Sequence, residues 1–186
     1  MSGCVPPPGD TALVLLAAGR GARFGGDKLT HAYRGRPLWE WAADAAEAAG
    51  LTQLYIVLGP HSAIVPRQGW RTVTNPNAGD GMGTSIAAGV AAASSHDRIL
   101  VALADMPHVA PKHLRLLAAE TGTVFTRQED GSPGSPAGFG PECYAALRTL
   151  DNDRGARSLD LPNVKLIAPP DPAILFDVDR KTDLDR

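Results

Sequence analysis

The stretch ALVLLAAGRGARFGGDKL, residues 12–29, sets the fold that this sequence predicts. Its first six residues form an apolar run with the length of a buried strand, and a glycine-rich, basic loop follows directly. Further along, short runs rich in Val, Ile and Leu alternate with alanine-rich segments of helical length. Because parallel strands need crossover connections, this alternation predicts an α/β fold with one doubly wound, mostly parallel sheet and helices on both faces.

The same pattern locates the individual elements. The predicted strands are residues 12–17, 53–58, 71–74, 98–103, 123–126, 137–140, 164–167 and 174–178. The predicted helices are residues 37–49, 83–93, 112–119, 142–150 and 155–159. Proline-rich joints separate them and no internal repeat is present, so we expect a single domain over residues 11–186 after a flexible tail at residues 1–10.

Composition excludes several classes of function. The 186 residues are 44% hydrophobic and 20% charged, with a formal net charge of -2, which gives no global basic surface for nucleic acid or an anionic membrane. The apolar runs are too short to span a membrane, and the first residues lack the basic and apolar regions of a secretion signal. Two cysteines do not make a disulfide framework. The sequence therefore predicts a cytoplasmic protein that binds neither nucleic acid nor a membrane.

The loop after the first strand is the first candidate ligand site, since ligands of such sheets lie beyond the carboxyl ends of the strands. Its glycines let the backbone approach a ligand, and successive N–H groups form a concavity for anions, to which Arg23 and Lys28 add positive charge. The spacing fits neither standard phosphate motif. The dinucleotide pattern has Phe24 where its third glycine belongs, and the P-loop pattern has Asp27 where its lysine belongs. We interpret the loop as a polyphosphate site of another kind, with a plain solvated turn as the alternative.

Carboxylates follow two apolar segments further along the chain. The segment RILVALADMP ends a predicted buried strand in Asp105, and ILFDVDRK carries Asp177 and Asp179, which alternation puts on one side. A carboxylate at the end of a buried strand needs a cation or a donor, and Mg²⁺ prefers oxygen ligands that it shares with phosphates. Asp105 is therefore a candidate Mg²⁺ ligand, and a turn or helix-capping role is the alternative.

Six segments in the same order resemble the MobA-like nucleotidyltransferases. They are LAAGRGARFGGDKL, NPNAGDGMGTSIAAGV, VALADMPHV, GSPAGF, DRGARSL and FDVDRKTDLD. The LAAG form of the first is similar to the molybdenum cofactor cytidylyltransferase branch, whereas DMP and GGDK look partly like the guanylyltransferase branch. The resemblance favours CTP over GTP and implies a Rossmann-like fold of the nucleotide-diphospho-sugar transferase type.

The resemblance also implies roles for particular residues. Arg23, Lys28 and Asp105 form the expected catalytic set, and Asp105 and Asp179 hold the metal, with Asp177 as the alternate ligand. The expected nucleotide-binding residues are Ala17, Ala18, Gly19, Gly21, Arg23, Lys28, Asn75, Gly81, Ser85 and Asp105. For the second segment, an ordinary capped helix start is the alternative.

The implied reaction is Mg²⁺-dependent transfer of a nucleoside monophosphate, CMP rather than GMP, from the triphosphate to the phosphate of molybdopterin, with release of pyrophosphate. An acceptor phosphate is already ionised near neutral pH, so positioning and electrostatics replace a general base. A sugar or alcohol phosphate as acceptor, and a non-catalytic nucleotide-binding module, are the alternatives. A molybdoenzyme or its maturation chaperone is the expected protein partner.

Two departures from the family pattern bear on this reaction. Arg180 and Lys181 follow the last acids, where a Thr-Pro pair is usual. Pro133 stands where an arginine is usual, so one expected cation for the second substrate is missing. Arg127 and Arg157 are the candidate replacements.

Overall fold

The strands and helices described here belong to residues 10–19 and 24–185, which are the residues that the computed structural model describes. The strands are β1 (Thr11–Ala17), β2 (Ala32–Tyr33), β3 (Arg36–Pro37), β4 (Gln53–Leu58), β5 (Trp70–Thr74), β6 (Arg98–Leu103), β7 (Val124–Arg127), β8 (Pro133–Phe139) and β9 (Lys165–Ile167). The α-helices are α1 (Trp39–Ala48), α2 (Met82–Ala93), α3 (Pro111–Ala119) and α4 (Tyr144–Leu147). No helix in this part of the chain has the length and apolar character needed to cross a membrane.

Seven strands form one sheet in the order β5-β4-β1-β6-β8-β7-β9. β1 pairs in parallel with β4 and β6, β4 with β5, and β7 with β9. β8 lies antiparallel between β6 and β7, because it follows β7 through a short turn that reverses the chain without a crossover. β2 and β3 form a separate small hairpin. The predicted mostly parallel α/β sheet is confirmed.

The core lies on both faces of the sheet. Every residue of β1 is buried, and its side chains alternate between two apolar clusters, with Leu13 and Leu15 in one and Val14 in the other. Helix α2 approaches β1 so closely that a Cβ added at Gly89 would lie 2.4 Å from Val14 Cγ1. The lack of a side chain at Gly89 therefore sets the distance between this helix and the sheet.

The structure corrects the prediction at residues 174–178. In place of a strand, it has a 3-10 turn, Pro172–Leu175, followed by residues without regular structure. The Asp171 side chain accepts a hydrogen bond from the Ala173 N–H at 2.9 Å, which caps this turn, and Pro172 has no N–H for a strand ladder. The apolar residues that suggested a strand instead fix a segment against the end of β6.

Three other predicted elements differ in extent. The predicted helix 142–150 is a 3-10 turn, Pro141–Cys143, that leads into the single turn of α4, and the predicted helix 155–159 is the 3-10 turn Ala156–Ser158. The predicted strand 137–140 begins earlier, as β8. The predicted tail at residues 1–10 lies outside the described residues except for Asp10.

Candidate active site

The carboxyl ends of the parallel strands β4, β1 and β6 meet at one edge of the sheet, and the loops that follow them surround a cleft. Two adjoining cavities of about 420 and 370 Å³ occupy the cleft above β1. Both are lined by Ala18, Gly19, Ala78 and Gly79. The predicted binding residues Ala17, Ala18 and Gly19 therefore lie at a cleft large enough for a ligand. Gly21 and Arg23, which are also predicted to bind nucleotide, lie outside the described residues.

Lys28 is the centre of a charged cluster at the edge of this cleft. Its Nζ donates to Asp105 Oδ2 at 2.7 Å and to the Val178 carbonyl at 2.8 Å, and it lies 3.6 Å from Asp179 Oδ1. The Lys28 and Asp105 side chains are only 12% and 21% exposed, so water screens their attraction less than it screens a surface ion pair. Three sequence segments that were predicted to act together are thus in contact.

The turn that presents Lys28 is built by its neighbours. Asp27 Oδ1 accepts a hydrogen bond from the Leu29 N–H at 3.2 Å and caps the 3-10 turn Lys28–Thr30. Leu29 is buried in the core beneath. A buried leucine beside the lysine anchors the turn, and the cap directs the lysine stem into the cleft rather than into solvent.

The acids have the chemistry of a divalent cation site. Asp105 Oδ1 is buried and has no hydrogen-bond partner within the described residues, which is costly for a carboxylate oxygen unless a cation or donor reaches it. Burial, together with the charges of Asp179 and Asp105, raises the pKa of Asp177. No cluster of three acidic, histidine or cysteine side chains able to hold a metal ion occurs in the described part of the chain. Carboxylate oxygens are the ligands that divalent cations such as Mg²⁺ take in proteins.

The segment after β5 is tied to the start of α2 by Asn75. Its amide donates to Thr84 Oγ1 at 2.8 Å and to Ser85 Oγ at 3.0 Å, and it is 3% exposed. Helix α2 begins at Met82 with Gly81 as its N-cap, so Thr84 and Ser85 lie within its first turn and neither is the residue that caps it. Ser85 lines the 370 Å³ cavity, whereas Asn75 is buried and does not line it.

Gly81 serves the packing of a neighbouring loop. Its φ is 127°, and a Cβ there would lie 2.2 Å from the carbonyl carbon of Asn152. Gly83 is equally constrained, since its Cβ would lie 2.5 Å from the Asp151 carbonyl oxygen. Both glycines therefore let residues 151–154 close one side of the cleft, and Gly81 lines the 370 Å³ cavity as well.

A third cavity, of about 340 Å³, adjoins the 370 Å³ cavity, with which it shares Leu16, Met82, Leu103 and Asp153. Its walls are mainly apolar side chains, among them Val101, Phe125 and Phe139. Polar groups enter at the mouth, from Gln128, Arg157 and Asp177.

The two candidate replacements for the missing cation, Arg157 and Arg127, lie at different cavities. Arg157 lines the third cavity, whereas Arg127 lines a cavity beside the β7–β8 turn. Gln128 and Asp153 also line the third cavity and were not predicted, because a single polar residue in a loop has no pattern that marks it as a cavity residue.

Known proteins share this fold and much of this sequence. Residues 13–165 match the family model described as the MobA-like NTP transferase domain. Nicotine blue oxidoreductase of Paenarthrobacter nicotinovorans is 37% identical over 172 aligned residues, which cover 80% of this chain and 83% of that protein.

Solved structures agree with the family match. Rv0371c from Mycobacterium tuberculosis H37Rv is 27% identical with a TM-score of 0.77, over 95% of this chain and 97% of that one. A manganese complex of Rv0371c is 28% identical with a TM-score of 0.67, over 86% and 88% of the two chains. The molybdopterin-guanine dinucleotide biosynthesis protein A of Archaeoglobus fulgidus shares the fold, with a TM-score of 0.72 at 20% identity over 94% and 95% of the chains.

Proposed function

This chain belongs to the MobA-like NTP transferase family and is a nucleotidyltransferase, and from that premise we propose that it transfers CMP from CTP to the phosphate of molybdopterin. The observation that carries the proposal is the convergence of Lys28 with Asp105 and Asp179 at the edge of the cleft above β1. A lysine and two acids at a strand edge suit a reaction in which charge moves between phosphates.

The nucleotide binds in the cleft above β1. The backbone at Ala18 and Gly19 and the facing residues Ala78 and Gly79 line the space for the nucleoside. Lys28 neutralises the phosphates and stabilises the charge that develops on pyrophosphate as it leaves. Arg23 has the same role in the proposal, although it lies outside the described residues. The resemblance of the LAAG segment to the cytidylyltransferase branch favours CTP over GTP as the nucleotide.

Asp105 and Asp179 are the residues that would hold Mg²⁺, with Asp177 as the alternate to Asp179. The metal, when bound, offsets the negative charge of the triphosphate and of the departing pyrophosphate. The buried Asp105 Oδ1, which has no hydrogen-bond partner among residues 10–19 and 24–185, supports this assignment. The manganese complex of Rv0371c supports a divalent cation in general, and magnesium is the form proposed here.

The acceptor binds in the 340 Å³ cavity, which shares four lining residues with the 370 Å³ cavity of the nucleotide cleft. Its apolar walls suit the flat ring system of a pterin, and Arg157 provides a positive charge for an anionic group. The shared fold of the Archaeoglobus fulgidus molybdopterin-guanine dinucleotide biosynthesis protein A is consistent with such an acceptor. A molybdoenzyme or its chaperone is the proposed recipient of the product.

Pyrophosphate release tests the proposal. The purified protein with Mg²⁺ is given CTP, GTP, ATP or UTP, each with and without molybdopterin. We expect release with CTP that depends on molybdopterin. If pyrophosphate is released with GTP alone among the four, the proposed base is wrong and GTP is the donor. If release requires a sugar or alcohol phosphate in place of molybdopterin, the proposed acceptor is wrong. Metal-dependent nucleotide binding without release from any pair would favour a binding module over an enzyme.

A second candidate function is oxidation–reduction, and it rests on the relative named nicotine blue oxidoreductase. The first loop speaks against a dinucleotide site of the usual kind, because Phe24 occupies the third glycine position of that motif. The direct test is NADH or NADPH oxidation in the presence of nicotine blue. Consumption of the reduced nucleotide that requires nicotine blue, without pyrophosphate release in the first assay, would replace the transferase proposal.

A further inference from the structure

The segment 176–179 carries Asp177 and Asp179 but has no helix or strand of its own. Its centre is fixed by two backbone contacts of Val178. The Val178 N–H donates to the Asp105 carbonyl at 3.0 Å, and the Val178 carbonyl accepts from Lys28 Nζ at 2.8 Å. Val178 itself is fully buried. The two acids on either side of it therefore depend on whatever else holds this segment against the end of β6.

His108 contacts the beginning of this segment. Its ring stacks on Phe176, with centroids 5.3 Å apart and planes inclined by 29°. Its Nε2 lies 2.8 Å from the hydroxyl of Tyr33. This hydrogen bond joins His108 to the small β2–β3 hairpin, in which Tyr33 lies. Tyr33 is fully buried and packs edge-on against Trp41 of α1, with ring centroids 6.0 Å apart. One face of the His108 ring therefore contacts segment 176–179, and its Nε2 edge is hydrogen-bonded to a buried tyrosine of the core.

His108 belongs to the loop that carries Asp105, so its contacts connect that loop to segment 176–179. It lies three residues after Asp105, in the same loop that leaves β6. A contact from His108 to Phe176 therefore connects the loop that carries Asp105 to the segment that carries Asp179. Asp105, Val178 and Lys28 connect the same two segments on the other side.

We propose that His108 is a positioning residue that holds segment 176–179 in register with Asp105, so that both segments present their carboxylates to one cation. The stacked ring restrains Phe176, and the Tyr33 hydroxyl restrains the ring. The metal role of the acids rests on the proposed function, whereas the restraint on the segment does not.

Amide hydrogen exchange, measured by NMR on the full chain, tests the restraint directly. In His108→Ala we expect the Val178 amide to exchange about five- to tenfold faster, the factor that corresponds to losing one aromatic contact or one hydrogen bond. The amides of β1 keep their exchange rates. His108→Phe keeps a stacking ring and should restore most of the protection, and Phe176→Leu should reproduce the loss from the other partner.

Mn²⁺ binding, measured by electron paramagnetic resonance with CTP present, provides the second readout. His108→Ala should weaken Mn²⁺ binding about five- to tenfold, by the same contacts, and His108→Phe should recover it. His113→Gln is the matched control, because His113 is a buried histidine on α3 that contacts Thr126 rather than segment 176–179. It should lower the thermal unfolding temperature without selective change at Val178 or in Mn²⁺ affinity.

The outcomes separate this inference from the proposed function. Equal exchange at Val178 in wild type and His108→Ala, or an increase matched by β1, would overturn the positioning role. Faster exchange with unchanged Mn²⁺ affinity would overturn the link to the cation. A wild-type protein that binds no Mn²⁺ would refute the metal step of the proposed function, and the exchange measurement would still decide whether His108 restrains the segment.

Discussion

His113 makes the stability of this protein depend on pH in a defined direction. The side chain is fully buried on α3, and its Nε2 lies 2.7 Å from Thr126 Oγ1. That hydroxyl donates to the Pro136 carbonyl at 2.6 Å, so Nε2 must carry the hydrogen and donate to Thr126. Nδ1 is buried and has no hydrogen-bond partner within the described residues. A proton on Nδ1 would place a charge where nothing compensates it.

Burial lowers the pKa of His113 from 6.5 to about 4. Between these two pH values the unfolded chain takes up a proton that the folded protein excludes, so acid favours unfolding. The contribution to stability is complete above pH 6.5 and is lost as pH falls toward 4. At about 1.4 kcal/mol per pH unit, the full difference amounts to about 3 kcal/mol.

Urea unfolding at pH 7.5, 5.5 and 4.5 measures this effect, and His113→Gln is the control that does not titrate. Other groups titrate in both proteins, so the informative quantity is the difference between the two free energies of unfolding at each pH. We expect wild type to lose about 2–3 kcal/mol more than His113→Gln between pH 7.5 and pH 4.5. If the free energies of unfolding of wild type and His113→Gln differ by the same amount at all three pH values, the conclusion that His113 is buried and neutral is wrong.

Three further changes test the site and the packing. Asp105→Asn should reduce pyrophosphate release at least about a hundredfold and leave weak CTP binding. The control, Asp160→Asn at an exposed position, should retain activity. Comparable activity of the two variants would contradict the metal assignment. Arg157→Ala should raise KM for the acceptor about tenfold with KM for CTP unchanged, and the exposed Arg148→Ala serves as the control. An effect on KM for CTP alone would place Arg157 at the nucleotide site. Gly89→Val should lower the free energy of unfolding by about 1–3 kcal/mol, because even a Cβ at this position would lie 2.4 Å from Val14 Cγ1 of β1. Urea unfolding measures this as a lower midpoint, and an unchanged midpoint would contradict the close contact between α2 and the sheet.

The central strands could be predicted from the sequence because both of their faces are buried. β1, β4 and β6 are continuous apolar runs, and the predicted bounds agree with the observed ones to within a residue. The same signal was misleading at residues 174–178, where Ile174 and Val178 are equally buried but belong to an irregular segment. Burial of apolar side chains identifies core residues, and it does not by itself state which hydrogen bonds their backbone makes.

The candidate site was predictable in its charged residues and not in its backbone contacts. Lys28, Asp105 and Asp179 stood out as charges placed directly after glycine-rich or apolar segments, and the structure brings them together. Their roles in binding and catalysis stay predictions. The Val178 carbonyl that accepts from Lys28 had no signal, because every residue has a carbonyl. The stacking of His108 on Phe176 was equally hidden, since it depends on how two distant segments meet.

The wide separation along the chain of the groups that form the charged cluster affects when activity appears during folding. Lys28 is 77 residues from Asp105 and 150 residues from Val178. Ribosomes deliver the N-terminal part of a chain first, so β1, β4 and β6 can associate while the segment with Asp179 has yet to be synthesised. Under the proposed function, the onset of turnover during translation therefore reports when the last tertiary contacts form, and it follows the spectroscopic signal of the sheet.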